Sequence, residues 1–327
     1  MKPRFLIAIF SLLGLVNRVA VDWRRCGRNR IRRSEMRLPV WLVSTSLILF
    51  SICSNGQNET EPKQQPAGNS VSVFGAKLHY VDTGSGSVVV LLHGLADDVG
   101  VWESAIAPLA AKYRVVALDQ IGFGRSDKPL LNYRASTFVD FLDGFLNELK
   151  IERASLVGNS LGGWIAADFA LTHPERISRL VLCDAAGYAA VSKTMDPRAL
   201  SALRLASRDD IRYLGPLTFR DKRFYEDVDL AFKQRLAAGD SYTVGRILDS
   251  MIRGEDVLDN RLAAIKQPTL ILWGREDKLI PLNFAERFHK EIAGSQLRVI
   301  DSCGHMPHVE CPKEFVTAVL DFLNDTK

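Results

Sequence analysis

The sequence predicts an α/β fold: a mostly parallel, doubly wound sheet with helices on both faces and a helical cap inserted late in the chain. Three observations carry it. Short apolar runs alternate with longer helix-like stretches over residues 88–184 and again over 269–323, the pattern of parallel strands joined by crossover helices. Between residues 188 and 264 the alternation stops and only helix-like segments follow. At one corner between an apolar run and a helix, Gly158-Asn159-Ser160-Leu161-Gly162 holds a serine between two glycines.

In chain order, 71–82 alternates and runs into Thr83-Gly84-Ser85-Gly86, which reads as a hairpin entering a buried strand at 88–92. Further strands are expected at 113–118, 154–157, 180–183, 269–273 and 296–300, and helices at 102–111, 135–149, 161–172, 283–292 and 312–323. Within 188–264, the segments 197–207, 209–213 and 227–238 read as helices. The core therefore divides into 71–187 and 265–327 around an insertion.

Chemistry is most legible at Ser160. A strand-to-helix corner this tight excludes side chains at its flanks, and it lifts the hydroxyl toward the N-terminus of the next helix. The Leu161 N–H is then placed to stabilise an oxyanion. An acid and a histidine follow in the order Ser160, Asp277, His305, each beyond the end of a predicted strand, the edge of a doubly wound sheet where sites form. Asp277 is the favoured acid; Glu276 is one residue off, and Asp184, at the end of the 180–183 strand, is the alternative. His93 reads as a structural anchor of its loop, and His308 as a rim or structural residue.

Taken together, the serine corner, Asp277, Gly304-His305 and Leu91-Leu92-His93-Gly94 resemble the α/β-hydrolase superfamily over residues 70–325. The resemblance implies a triad of Ser160, His305 and Asp277, and an oxyanion hole built from the backbone N–H groups of Leu95 and Leu161. It also implies a cap at 188–264 that covers Ser160. Apolar cap residues such as Leu214, Ile247, Leu248 and Met251 either line an acyl pocket or form the cap's own core. Arg204, Arg208 and Arg212 share a face if one helix runs through them. Asp119-Gln120-Ile121-Gly122-Phe123-Gly124-Arg125-Ser126 resembles the superfamily's Gly-rich loop beside the site. It lacks the third glycine of a dinucleotide fingerprint, so no nucleotide is implied, and no cofactor or metal is expected.

The chain has 327 residues, 47% hydrophobic, enough for one large domain with an insertion and an N-terminal extension. Residues 1–37 carry ten Lys/Arg against two Asp/Glu, whereas the whole chain is only +4, so the remainder is mildly acidic and nucleic acid is not an expected partner. Apolar stretches flank that basic segment, and 54–70 reads as a polar tether. Residues 1–53 are thus read as an export signal or membrane anchor. If translation starts at Met36, 38–52 is a signal-type apolar region and Cys53 a lipid-modified first residue. Ile52 before it is bulkier than lipoprotein signals prefer. Either version places the protein at an envelope membrane, on the outer side. Five cysteines do not make a disulfide framework, though a bridge between Cys303 and Cys311 across the His305 loop is possible in an oxidising compartment.

The expected activity is hydrolysis of carboxylic esters, as an esterase or monoacylglycerol-type lipase acting on a small-molecule or lipid ester. The oligomeric state is not legible. The rival enzyme is a carbon–carbon bond hydrolase of ring-cleavage products, whose serine corner is similar to Gly158-Asn159-Ser160-Leu161-Gly162-Gly163. His93-Gly94-Leu95-Ala96 lacks the extra glycines such enzymes tend to carry. A non-catalytic binding protein on this fold would ordinarily have lost one of Ser160, Asp277 and His305. A serine rather than an aspartate at 160 disfavours epoxide opening and halide displacement.

Overall fold

The structure, a computed structural model, describes residues 68–325. The expected leader, Cys26, Cys53 and nearly all of the tether lie outside the described residues. Eight strands form one sheet: β1 (Asn69–Val73), β2 (Ala76–Thr83), β3 (Val88–Leu92), β4 (Arg114–Leu118), β5 (Ala154–Asn159), β6 (Ile177–Cys183), β7 (Thr269–Gly274) and β8 (Gln296–Ile300). Their order is β1-β2-β4-β3-β5-β6-β7-β8. The pairs β1/β2 and β2/β4 are antiparallel and all others parallel.

The hairpin expected to lead into Val88 is not formed. The chain reverses earlier, at Phe74-Gly75, and β2 then pairs with β4 rather than β3. Both turn residues have positive φ, 51° and 82°, the conformation that matches a two-residue turn to the twist of its strands. Alternation marked the strand; the turn chemistry that fixes its partner lay in Phe74-Gly75, not in the later glycines.

Period-two alternation explains the two layers. Val90, Leu92, Leu156 and Leu182 face one core cluster, which also holds residues of α2 (Ala135–Glu148) and α3 (Leu161–Thr172). Val89, Leu91, Val157 and Val181 face the other, packed with Leu109 of α1 (Glu103–Ala110) and with Phe315 and Phe322. After β6 the chain makes five helices without a strand: α4 (Ala189–Thr194), α5 (Pro197–Ala202), α6 (Arg208–Thr218), α7 (Val228–Ala238) and α8 (Ser241–Arg253). The chain then returns to β7, α9 (Asn283–Glu291), β8, α10 (Pro307–Glu310) and α11 (Pro312–Asn324).

Two expectations for the inserted helices are revised. Arg204, Arg208 and Arg212 do not share a face, because the helix breaks between α5 and α6 where Leu205 takes φ 50°. Each pairs with a different aspartate: Asp249, Asp229 and Asp209 respectively. Ile247 and Leu248 are fully buried in the same cluster as α2 and α3, and Met251 packs against it, so these three serve packing.

The corner after β5 depends on close backbone approach. A Cβ on Gly162 would lie 2.1 Å from the Leu92 carbonyl oxygen, and one on Gly158 would lie 2.2 Å from the Gly162 carbonyl oxygen. Both obstacles are main chain and cannot rotate away. Gly162→Ala should therefore push α3 off β3 and cost about 2–4 kcal/mol, as overpacking against a rigid wall does. A fall of several degrees in the thermal unfolding midpoint is expected; an unchanged midpoint would refute this contact.

Candidate functional site

Ser160 sits between β5 and α3 with φ 55° and ψ −115°, outside the regions open to ordinary L-residues. Three main-chain bonds hold it there. Its N–H donates to the Cys183 carbonyl (3.0 Å), and its carbonyl accepts from Trp164 and Ala186 (3.1 and 3.0 Å). Leu161 opens α3, so its N–H belongs to the first turn, whose donors have no partner within the helix.

His305 and Asp277 meet at the same edge. His305 Nδ1 and Asp277 Oδ2 are 2.7 Å apart, and both side chains are buried. Asp277 Oδ1 accepts the N–H groups of Leu279 and Ile280, each at 2.8 Å, so its carboxylate is held in one orientation. Asn159, the residue before Ser160, donates from Nδ2 to the His305 carbonyl at 3.0 Å. The serine corner and the histidine loop are thus joined directly. Sequence reasoning assigned Asn159 no role, although an amide in this position of the corner was its visible signal.

The histidine loop has further supports, of which the sequence offered only the Cys303–Cys311 bridge. His305 N–H donates to the Thr218 carbonyl at 2.7 Å, and Lys278 N–H to the Leu217 carbonyl at 3.2 Å, so the end of α6 is tied to both the acid and histidine loops. Glu310 accepts from Gly304 N–H and Asp221 N–H, each at 2.6 Å. Cys303 and Cys311 are joined in a disulfide that brackets His305. Cys183 is buried and donates to Asp184.

Asp184, the alternative acid, belongs to the same cluster: its carboxylate, that of Asp277 and the His305 ring lie within 4.8 Å of one another. The two acids differ in their partners. Asp277 has two N–H donors and the imidazole, whereas Asp184 accepts from Gly274 N–H (3.0 Å) and the Cys183 thiol (3.2 Å). Burial, then the negative Asp277 beside it, pushes the Asp184 carboxyl well above its usual range. Asp277 is the direct partner of His305, and Asp184 the neighbour whose proton is held more tightly. With these donors already engaged, the cluster is not an open metal site. The sulfurs near Glu310 are consumed by the disulfide.

The loop after β3 completes the edge. His93 is fully buried; its Nδ1 donates to the Gly94 carbonyl (2.8 Å) while Nε2 accepts from Gln120 N–H (3.1 Å). These partners make His93 a loop anchor, as expected. Asp119 of the Gly-rich loop accepts Val99 N–H (2.7 Å) and Arg125 N–H (2.9 Å) and pairs with His79 (2.7 Å), binding that loop to the one that carries Leu95. A Cβ on Gly94 would lie 3.5 Å from Ser160 Cβ, so this loop passes directly beside the serine. His308 is not at a rim. It is fully buried, its ring 4.2 Å from that of Trp102, and burial, followed by the charges of His305 and His93, lowers it to about 3.

Comparison with known proteins agrees with this architecture. Residues 87–312 match the family model described as the alpha/beta hydrolase fold. A 2-hydroxy-6-oxo-2,4-heptadienoate hydrolase of Pseudomonas putida is 31% identical over 270 residues, spanning 78% of this chain and 96% of its own. Among solved structures, a bacterial membrane phospholipase A superposes with a TM-score of 0.70 at 27% identity, covering 79% of this chain and 86% of the other. A thermophilic esterase of Thermogutta terrifontis does so with a TM-score of 0.68 at 25% identity, covering 79% and 98%.

Asp184 gives a stability signature. Its proton is held more tightly in the native state than in the unfolded chain, which releases it above the ordinary value of 3.8. Its contribution is therefore complete below about pH 4 and declines as the pH rises toward the native value. Asp184→Asn mimics the protonated form. The difference in unfolding midpoint between variant and wild type should be smallest at pH 4 and shift in the variant's favour toward pH 8. A pH-independent difference would show that Asp184 is ionised in the native state.

Proposed function

This chain belongs to the α/β-hydrolase family, and we propose that within it the protein is a serine hydrolase of carboxylic esters. The observation that carries the reading is the 2.7 Å Asp277–His305 bond, tied through Asn159 to the corner that bears Ser160. In the proposed reaction Ser160 Oγ attacks the ester carbonyl while His305 Nε2 takes its proton, and Asp277 steadies the charged imidazole. The backbone N–H groups of Leu95 and Leu161 receive the developing oxyanion, each worth about 3 kcal/mol in the transition state. The proton passes from His305 to the departing alkoxide. A water activated by the same imidazole then releases the acid from Ser160.

Support for esters over other substrates comes from three sides. The loop at His93-Gly94-Leu95-Ala96 carries no additional glycines. Neighbours by structure include a membrane phospholipase A and an esterase. The basic and apolar leader suits a protein held at an envelope membrane, where lipid esters are at hand. The second reading, carbon–carbon hydrolysis, is favoured by the heptadienoate hydrolase relative, which is more similar in sequence than either structural neighbour. We further place Cys53 as the site of lipid attachment, with an uncleaved anchor as the alternative.

A panel of p-nitrophenyl esters of rising chain length decides between the two readings: turnover of short to medium acyl chains is expected, and no turnover of any would favour the carbon–carbon rival. Ser160→Ala should lower kcat by about 10⁵-fold or more and abolish labelling by a fluorophosphonate. Asp277→Asn should cost about 10⁴-fold, and Asp184→Asn less than about tenfold. Equal losses for the two aspartates would undo the assignment of the acid. Mass analysis of the mature N-terminus should find an acylated Cys53; an intact residue 1 or 36 would exclude lipidation.

A further inference from the structure

One charged side chain at this edge has no part in the mechanism above. Asp97, on the loop that carries Leu95, is half-buried, and its Oδ2 would lie 2.8 Å from a Cβ placed on Gly94. Ser160 Cβ lies 3.5 Å from the same point. A carboxyl oxygen and the serine side chain therefore flank a single Cβ-sized space. We propose that Asp97 is a specificity-determining residue, whose carboxyl turns away substrates bearing a negative charge next to the scissile carbonyl and admits uncharged esters. The inference deepens the ester-hydrolase reading and rests on it.

The charges around Asp97 point the same way. On its own loop are His93, the loop anchor, and Asp98, whose Oδ1 accepts Gly100 N–H. His305 faces it from the loop after β8, and Arg235 from α7 of the inserted helices. Arg235 is the one lasting positive charge among these groups, and its guanidinium is paired with Asp240 in a buried ion pair. An incoming carboxylate would thus meet a second negative group beside the serine. Two like charges about 5–6 Å apart in a partly desolvated cleft repel enough for a ten- to hundredfold discrimination.

Burial raises the Asp97 carboxyl, opposed by His93, assisted by Asp98 and opposed again by His305 and Arg235, so that it is pushed up to about 6. The discrimination should therefore fade as the pH falls through about 6 and the carboxyl takes up a proton.

The test compares p-nitrophenyl butyrate with p-nitrophenyl hemisuccinate, which replaces the terminal methyl by a carboxylate at nearly the same length. In the wild type the kcat/KM ratio at pH 8 should favour butyrate, and it should shrink at least tenfold in Asp97→Asn and in Asp97→Ala. The wild-type ratio should also fall between pH 8 and pH 5, while the ratio in the variants stays flat. A ratio unchanged by the substitutions, or a wild-type ratio independent of pH, overturns the inference. Should neither ester be turned over, the ester reading fails instead. Asp97 is then judged by calorimetric binding of the two compounds to Ser160→Ala, with and without Asp97→Asn: the same shift in relative affinity supports the role, and its absence refutes it.

Discussion

At the corner after β5 two stretches of backbone touch with no side chain between them, and the rest of the site is referenced to that contact. Gly158 lies against the Gly162 carbonyl, and Gly162 against the Leu92 carbonyl at the end of β3. The contact forces Ser160 to a positive φ that costs about 1–3 kcal/mol. Such strain persists only where its surroundings over-determine it. Here they do: ten of the twelve residues of α3 are buried, so the helix cannot tilt away to relieve the turn. The same approach brings the Leu95 loop beside the serine, because that loop leaves the very strand on which Gly162 rests. The positions of Ser160, Leu161 and the Leu95 loop are thus consequences of one packing constraint rather than separate placements.

From that corner the order spreads through main-chain acceptors. Asn159 reaches the carbonyl of His305, and Thr218 takes the His305 N–H. Glu310 clasps Gly304 and Asp221. The histidine is therefore held by its backbone from three directions, and its ring needs only Asp277 to fix its rotation. One end of the inserted helices, from Leu217 to Asp221, is built into these loops. Changes there act on catalytic geometry without touching a substrate, the kind of positioning on which rate depends at the level of an ångström.

Ser160, Asp277 and His305 were legible in the sequence because each follows an apolar run whose length and β-branched content mark a buried strand. Leu161 was singled out by its place after the serine corner and Leu95 by the resemblance, both for main-chain groups. Asn159, Thr218 and Glu310 were not, since each acts on a backbone group whose location depends on the completed fold. The first hairpin was misplaced because alternation reports a strand but not its partner; Phe74, adopting a conformation unusual for its type, supplied the turn. The break at Leu205 between α5 and α6 escaped for a related reason. No proline or glycine announces it, and the positive φ appears only once the inserted helices pack. Of the two readings left open for His308, rim or structural, the structural one holds, its ring being spent in the apolar layer beside Trp102.

A fold shared by ester and carbon–carbon hydrolases leaves the choice of substrate to the charges that face the cleft. The heptadienoate named for one relative is an acid, and an acid needs a positive group to receive it. In this chain the cap arginine that could serve lies in a buried pair with Asp240. That pair involves one of its nitrogens, and its Nε and Nη1 have no hydrogen-bond partner. Asp97 beside Ser160 opposes an incoming anion, and an uncharged ester presents nothing for it to repel. Sequence identity leans toward the carbon–carbon relatives, but identity averages over the whole sheet, while the substrate meets only these few side chains.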